Sequence, residues 1–442
     1  MNDFLTMNRN FCALLALGLF GMATISHAQE SAADSVMSHA GGNRLSVGGY
    51  GEVVFSRNFY SDNPFRYNDA ANHKNDPSHN RLDIPHAVIY LSYDFGRGWT
   101  FGTEIEFEHG GTGSAEELEA DEFAEWEQET EKGGEVELEQ FWIQKSFARW
   151  ANIKAGHIVV PVGLTNAHHE PLQFFTVYRP EGENTILPCT WHQTGISFWG
   201  RQKDWRYEVQ LLAGLNSDQF TRSNWIKNGT KSPTEYEVAN KFGVSARVDN
   251  YSIPGLRIGL SGYYGHSIGN SSPNEATGLT TMYKGAVAIG ALDFTYKGHN
   301  WIVRGQADYG HLGDAEHLMD MYNRTNKKSP FHHSSSMRTV SSEAYAVGLE
   351  AGYDIFSQIR DMRKRGERLF IFGRYEQYDP YAKQVGASSY DYSVVRRMAV
   401  GVNYYPMKQI AVKAEYSHRF LKGQYNNEPS LNIGIAYEGF FL

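Results

Sequence analysis

Apolar and polar residues alternate with a strict period of two over long stretches of this chain. From Trp99 to Glu108 the odd positions carry Trp, Phe, Thr, Ile and Phe, while the even positions carry Thr, Gly and three Glu. The same pattern runs from Trp205 to Asn216 and from Ile410 to Ser417. Only a β-strand places successive side chains on opposite faces. These stretches therefore predict strands with one apolar and one polar face.

The alternating stretches are longer than the strands of most soluble sheets. Soluble strands average about 5–6 residues, whereas a tilted strand that crosses a bilayer needs roughly ten, which many of these segments reach. Aromatic residues stand near the segment ends, as in the interfacial girdles of membrane barrels; they are Trp99, Trp150, Trp199, Trp205, Trp301, Tyr404 and Tyr405. A closed barrel leaves no unpaired sheet edge in lipid, so it is the expected architecture.

Sixteen segments fit the pattern, an even number that is typical of bacterial barrels. They are 44–56, 82–94, 99–109, 135–146, 151–161, 193–200, 205–217, 241–250, 256–267, 285–297, 301–312, 342–354, 368–378, 394–405, 410–420 and 430–442. The predicted fold is all-β: a 16-stranded antiparallel transmembrane β-barrel over residues 44–442, with short periplasmic turns and long extracellular loops. The basic stretch 355–367 on the short side is interpreted as a periplasmic helix or as a misplaced strand.

Residues 1–28 have the layout of a secretory signal peptide. A basic lead ends at Arg9, an apolar run extends from Phe11 to Ile25, and Ser26-His27-Ala28 offers the small residues that a signal peptidase reads. The alternative is an N-terminal membrane anchor. Residues 29–43 then form a polar periplasmic stretch before the barrel. Export followed by a barrel predicts the outer membrane of a Gram-negative bacterium.

Charge and cysteine content exclude several other classes of protein. The formal net charge of −9 argues against nucleic acid as a partner. Cys12, which lies in the predicted signal peptide, and Cys189 cannot build a disulfide scaffold or a cysteine-based zinc site. The sequence has no P-loop or dinucleotide motif, so an enzyme is not expected.

The polar faces of the strands are expected to line the interior of the barrel. The predicted pore-lining basic residues are Arg206, Arg247, Arg257, Lys297, Arg304, Arg374, Arg397, Lys413 and Arg419. The predicted pore-lining acidic residues are Glu104, Glu106, Glu108, Glu135, Glu137 and Glu139. An acidic wall would then face a basic wall across a water-filled lumen. The alternative is a plugged barrel in which these charges pair with one another. Among the basic residues, Arg206, Arg247, Arg257, Arg304 and Arg374 form a hypothetical anion track.

The glutamates of the third and fourth strands would repel one another across their hairpin. They need Lys145, basic residues from an inward loop, or a bound cation such as Ca²⁺. Loop 110–134 between the two strands adds nine more acidic residues against Lys132 alone. We expect either a solvated acidic loop or a weak Ca²⁺ site there, and no other cofactor.

Loop 162–192 is the expected constriction, because a connection of this length in a barrel is usually functional. Its candidate residues are His168, His169, Glu170, Arg179, Glu181 and Glu183. The alternative is an ordinary outer loop. No metal is expected at His168-His169-Glu170, because adjacent side chains diverge and the sequence shows no second ligand cluster nearby.

Three short motifs carry a resemblance to a known family. Gly156 to Leu164 reads GHIVVPVGL, Gln193 to Ile196 reads QTGI, and Gly48 to Glu52 reads GGYGE. These stretches resemble the phosphate-selective porins O and P. The resemblance implies a 16-stranded, usually trimeric channel with an inward-folded third loop. At Ile158, Val159 and Val160 the chain is apolar where a phosphate-selective member would carry lysine, so phosphate selectivity is not expected.

The sequence therefore predicts an outer-membrane porin, a passive diffusion channel for small hydrophilic solutes or ions through a charged lumen. Its expected partners are outer-membrane lipid, lipopolysaccharide, the solutes themselves and two further copies in a homotrimer. The alternative is a non-conducting structural or adhesive barrel.

Overall fold

Sixteen strand positions follow one another around a closed antiparallel sheet in the computed structural model of the chain. The structure describes residues 44–67, 69–108, 114–120, 126–132, 135–231, 236–270, 283–318, 340–383, 385 and 393–442, so the predicted signal peptide and the stretch 29–43 lie outside it. The strands are β1 (Leu45–Asn58), β2 (His79–Asp83), β3 (His86–Gly96), β4 (Trp99–Glu108), β5 (Ser114–Ala120), β6 (Trp126–Lys132), β7 (Glu135–Ala148), β8 (Ala151–Val159), β9 (His192–Gln202), β10 (Trp205–Ala213), β11 (Phe242–Ile253), β12 (Leu256–His266), β13 (Ala286–Gly298), β14 (Trp301–Leu312), β15 (Glu343–Asp354), β16 (Arg368–Asp379), β17 (Val395–Met407), β18 (Ile410–Leu421) and β19 (Glu428–Phe440).

The barrel closes where the last strand meets the first. β19 runs antiparallel to β1 from Phe440 opposite Gly48 to Ser430 opposite Asn58. β2 and β3 share the second strand position, since both pair with β1 and only β3 continues to β4. Pro85 lies between them, and its missing N–H cannot join a sheet ladder. The 16-stranded antiparallel barrel predicted from the sequence is confirmed.

Short and long connections alternate between the two ends of the barrel. Two-residue turns join several hairpins at one end, and His299 and Asn300 both take the positive φ that such a tight turn requires. At the same end, 355–367 forms a 3-10 turn (Ile355–Gln358) and a short helix, α3 (Arg360–Arg365), so the helical interpretation of this stretch is confirmed. The long connections at the other end contain α1 (Ala70–His73), α2 (Glu181–Ile186) and the separate hairpin β5–β6. None of the helices described is long and apolar enough to cross a membrane.

The outer surface of the barrel is apolar. Outward positions on successive strands carry large aliphatic side chains that remain exposed, such as Leu138, Leu260 at 62% and Ile435 at 51%. Trp99, Trp150, Trp205 and Trp301 are also exposed, close to the short turns. An apolar band on every strand is unfavourable in water and is the surface that hydrocarbon requires.

Two of the predicted girdle aromatics face the interior instead. Trp199 is buried and its indole N–H donates to Gln144 Oε1 at 2.8 Å. Tyr405 is buried against Phe370 in an interior cluster. Each lies on the inward face of its strand. Alternation along the strand, and not closeness to the strand end, therefore determines whether an aromatic side chain faces lipid or the interior.

Two long connections fill much of the interior. The first, residues 160–191, leaves β8 and returns at β9; we call it the inward segment. The second contains Phe220 and Trp225, which are fully buried, and the Trp225 indole donates to the Ser341 carbonyl at 3.0 Å. Both connections contribute to one apolar cluster with inward side chains of the wall, including Tyr263 and Ile289.

Candidate functional site: the inward segment and the charged interior

Asn166 closes the base of the inward segment. Its Nδ2 donates to the Val160 carbonyl, and the Trp191 N–H donates to its Oδ1 at 2.5 Å. Glu183 then caps the turn at 164–166, because its carboxylate accepts the N–H groups of Leu164, Thr165 and Asn166 at 2.9–3.1 Å. These bonds satisfy backbone groups that no strand partner reaches.

The middle of the inward segment crosses the barrel and binds the far wall. On β18, Lys413 donates to the carbonyls of Pro171, Phe174 and Thr176, the last two at 3.0 and 2.9 Å. On β17, Asn403 Nδ2 donates to the Phe175 carbonyl at 2.9 Å. The barrel wall therefore supplies donors to an irregular stretch of backbone.

Carboxylates of the same wall accept the N–H groups of the segment. Glu350 of β15 accepts from Phe175 at 3.3 Å, and Glu415 of β18 accepts from Val177 at 3.0 Å. Glu376 of β16 accepts from both Glu181 and Gly182 at 3.1 and 3.2 Å, at the start of α2. Inward charges thus bind the backbone of the segment as well as one another.

The predicted basic residues on β10 to β12 are buried in ion pairs. Arg247 and Arg257 share two carboxylates, Asp249 and Asp293, at 2.6–3.0 Å. Arg206 contacts Glu208 at 2.7 Å. Arg247 also donates to the Gly163 carbonyl at 2.9 Å, so this cluster holds the first turn of the inward segment.

The predicted basic residues on β14 to β18 form a second paired group. Its ion pairs join Arg304 to Glu350, Arg374 to Glu350 and Glu376, Arg397 to Glu181, Glu376 and Glu415, and Arg419 to Glu181 and Glu428. Arg419 and Lys297 are half-buried, and the other seven basic residues of the predicted set are buried. This arrangement differs from an acidic wall facing a basic wall. It also leaves the five arginines of the hypothetical anion track neutralised by buried carboxylates.

The predicted acidic residues lie together on β4 and β7. Glu106 and Glu137 are directly opposite each other, while Glu104 faces Gln140 across a β-bulge that leaves Glu139 as the extra residue. Such a bulge redirects side chains, and Glu139 is fully buried inside the barrel. The side chains of Glu108 and Glu135, and those of the acidic hairpin β5–β6, lie outside the described part of the chain.

The like charges of this hairpin have basic neighbours from elsewhere in the chain. His86 of β3 contacts Glu106 through Nδ1. Arg179 of the inward segment is buried beside them, and although burial lowers its pKa, nearby anionic groups that include Glu106 and Glu139 raise it overall. Lys145 points away, because its Nζ donates to the Arg97 carbonyl at 2.5 Å near Trp99.

The two histidines of the inward segment occupy different environments. His168 lies near Arg247 and Arg257, and His169 approaches Glu139, with 3.9 Å between Nε2 and Oε1. Burial lowers the pKa of both rings well below the ordinary value. Both imidazoles are therefore neutral at physiological pH. Glu170 is buried near Glu438 at the level of the C-terminal strand.

Two polar cavities lie on the long-loop side of the inward segment. The larger has a volume of about 700 Å³; Glu52, Glu106, Arg179, Glu181 and Lys227 are among its lining residues. The smaller, about 300 Å³, lies near Tyr67, Tyr378 and Arg419. Water and small polar solutes fit both spaces.

Sequence reasoning missed three parts of this site. Acidic partners of the basic residues stand two positions away on the same face in Arg206-x-Glu208, Arg247-x-Asp249 and Arg374-x-Glu376. That spacing is a usable signal, since i and i+2 share a strand face. The cradle around Lys413 and the inward packing of Trp225 have no local signal, because both depend on contacts between residues far apart in the chain.

Comparison with known proteins gives relatives of low identity. No family model matches the chain. An uncharacterized protein of Aquifex aeolicus (strain VF5) is 26% identical over 389 residues, which span 87% of this chain and 78% of that protein. Among solved structures, Salmonella typhi OmpF in complex with daunomycin aligns with a TM-score of 0.53 at 13% identity, over 90% of this chain and 98% of that one. An anion-selective porin from Comamonas acidovorans aligns with a TM-score of 0.50 at 10% identity, over 89% and 99%. The chain therefore has the porin fold.

Proposed function

We propose that the chain is an outer-membrane porin that passes small hydrophilic solutes or ions by passive diffusion. One observation carries the proposal: a closed barrel whose outward residues are apolar and whose inward face carries many charged and polar residues beside its apolar cluster. The exterior suits lipid, and the interior suits water and ions. The predicted signal peptide supports export to the outer membrane. The proposal involves no covalent chemistry.

The inward segment makes the proposed path narrow. Its backbone is bound to the far wall by Lys413, Glu350, Glu376 and Glu415. Solutes would enter through the larger cavity from the long-loop side and pass beside the segment. We therefore expect a small conductance rather than the large one of an unobstructed barrel.

The charge of the larger cavity supports a preference for cations. Apart from Glu181, which pairs with Arg397 and Arg419, four carboxylates line it, Glu52, Glu106, Glu137 and Glu237, against the three cationic side chains of Arg179, Lys227 and Lys231. Fixed negative charge raises the local concentration of cations. Nothing in this lining supports phosphate selectivity, since Ile158 and Val160 are fully buried in the apolar cluster.

A non-conducting barrel is the second candidate, and one observation favours it. Seven of the nine predicted pore-lining basic residues are buried, and ion pairs or hydrogen bonds to the segment hold them in place. A barrel with this interior could serve as a structural or adhesive protein whose function lies in its long loops.

Single-channel recording in a planar lipid bilayer distinguishes the two candidates. The refolded full chain, checked by heat-modifiable migration, is inserted under a KCl gradient. The porin proposal predicts discrete current steps. It also predicts a reversal potential whose sign shows that K⁺ crosses more readily than Cl⁻. Folded protein that carries no current would favour the structural or adhesive barrel.

We also propose a homotrimer in contact with lipid and lipopolysaccharide, as the family resemblance implies. Chemical cross-linking of the detergent-solubilised chain should yield a species of three copies. A product limited to single chains would contradict the trimer.

A further inference from the structure

Three buried side chains with unpaired polar atoms converge where the inward segment meets the acidic strands. Glu104 of β4, Glu139 of β7 and His169 of the segment are 3%, 0% and 3% exposed. One ligand atom from each lies within 4.8 Å of the other two. Glu104 Oε2, Glu139 Oε1 and His169 Nε2 have no hydrogen-bond partner among the residues that the structure describes. A buried polar atom without a partner is destabilising, and more so when it is charged, so this arrangement calls for a ligand.

The tautomer of His169 leaves a lone pair directed at the two carboxylates. Its Nδ1 donates to the Asn166 carbonyl at 3.2 Å, so the neutral ring carries its acceptor nitrogen at Nε2. A metal-binding histidine commonly donates its other ring N–H to a carbonyl in this way. Tyr50 contacts both Glu139 and His169. Its hydroxyl donates to Glu139 Oε2 at 3.4 Å, and its ring packs edge-on against the His169 imidazole.

We propose that Glu104, Glu139 and His169 form a binding site for a divalent transition-metal cation of the Zn²⁺ class. The cation would neutralise two facing carboxylates that otherwise repel each other. One imidazole and two carboxylates suit Zn²⁺, whereas Ca²⁺ prefers six to eight oxygen ligands. Ligand atoms lie about 2 Å from Zn²⁺ and about 3.3 Å from one another in its tetrahedral geometry, so the three ligand atoms, which lie within 4.8 Å of one another, would draw together by up to about 1.5 Å on binding.

Such a cation would add a further attachment of the inward segment to the barrel wall. Lys413 holds the segment on β18, and Arg247 holds its first turn on β11; the metal would join His169 to β4 and β7. The larger cavity offers a route of entry, since it is lined by Glu106 and Arg179, which lie beside Glu139. Any effect of the metal on current rests on the proposed function, whereas its binding does not.

Metal analysis of the folded protein tests the site. The full chain is refolded with Zn²⁺, desalted, checked by heat-modifiable migration and assayed for bound zinc. His157 and His192, which contact each other near Glu137, are replaced by Gln in the starting variant to remove a competing pair. We expect about one Zn²⁺ per chain in this variant. His169→Gln and Glu139→Gln should each reduce it at least tenfold, and the matched control His168→Gln should retain it.

The X-ray absorption spectrum at the zinc edge, recorded on the starting variant, gives a second readout that leaves all three proposed ligands in place. A single imidazole with carboxylate oxygens supports the site, whereas only oxygen ligands, or two or more imidazoles, would overturn it. The proposal also fails if folded protein retains no zinc, if His169→Gln keeps it, or if millimolar Ca²⁺ displaces it. An absence of current together with retained zinc would contradict the proposed function and leave the metal site standing.

Discussion

At the scale of single residues, the inward charges of this barrel serve as backbone ligands. Lys413 donates to three carbonyls and lies over the Phe174 ring at 4.4 Å from Nζ to the centroid. Glu183 and Glu376 accept five N–H groups between them. An irregular segment inside a barrel has no sheet partners, so side chains of the wall must satisfy its polar groups. A charge placed in this way holds the segment and is less available to passing ions.

Replacement of Lys413 by Met should release the middle of the inward segment. Three buried carbonyls would lose their donor, which we expect to lower the free energy of unfolding by about 3 kcal/mol or more. Urea unfolding in detergent measures the loss, and limited proteolysis should cut within 160–191. Lys408→Met, at an exposed turn position, is the matched control and should change neither. Equal stability of the two variants would contradict the role given to Lys413.

Cys189 is half-buried and lines the larger cavity, so its reactivity reports whether the inward segment folds into the barrel. Burial raises the pKa of its thiol to about 12, so very little thiolate forms at pH 8. In a Cys12→Ser chain, alkylation by iodoacetamide at pH 8 should be about 10³-fold slower when folded than in urea, where the thiol pKa is about 8.5. The folded rate should rise from pH 8 to 10, while the unfolded rate levels off above about pH 9. Similar rates at pH 8 in both states would show that the segment is exposed.

At the scale of elements, the alternation of apolar and polar residues predicts the strand bounds of the barrel closely. It does not predict the contacts of the inward segment. The predicted strand 301–312 coincides with β14 and 410–420 ends one residue short of β18, because each strand is read from its own alternation. The predicted strand 82–94 includes β3 except for its last two residues and only the end of β2, because Pro85 interrupts the sheet between the two strands. The docking of Lys413 on Phe174 joins residues 239 positions apart, and no local pattern encodes that contact. The metal candidate depends likewise on a β-bulge that shifts the register at Glu139.

The acidic hairpin between β4 and β7 should bind Ca²⁺ weakly. In the β5–β6 register Glu117 lies opposite Glu129 and Glu119 lies opposite Glu127, and like charges in these positions repel. Titration calorimetry with millimolar Ca²⁺ should give heat with a dissociation constant of about 10⁻³ to 10⁻⁴ M. The double variant Glu117→Gln, Glu129→Gln should weaken it, whereas Glu316→Gln, an exposed glutamate elsewhere, should not. The absence of heat would leave the hairpin as a solvated acidic loop.

At the scale of the whole molecule, the chain is a β-barrel whose inner space is divided by the inward segment. The outward positions of the main barrel strands are apolar, and the interior is held by ion pairs within the wall and by hydrogen bonds between the wall and the inward segment. Because Asn166 brackets the base of the segment through Val160 and Trp191, the crossing part can be removed while the wall stays intact. The variant replaces residues 167–188 with a short Gly-Ser linker.

The conductance of this shortened variant, measured beside the unaltered chain in a planar lipid bilayer, tests whether the inward segment is the constriction of a channel. Both proteins must first show heat-modifiable migration. We predict small discrete current steps for the unaltered chain. The steps of the variant should be severalfold larger, because its shortened segment no longer occupies the interior of the barrel. Equal conductance would contradict the role of the segment as the constriction, and an absence of current from both folded proteins would contradict the channel itself.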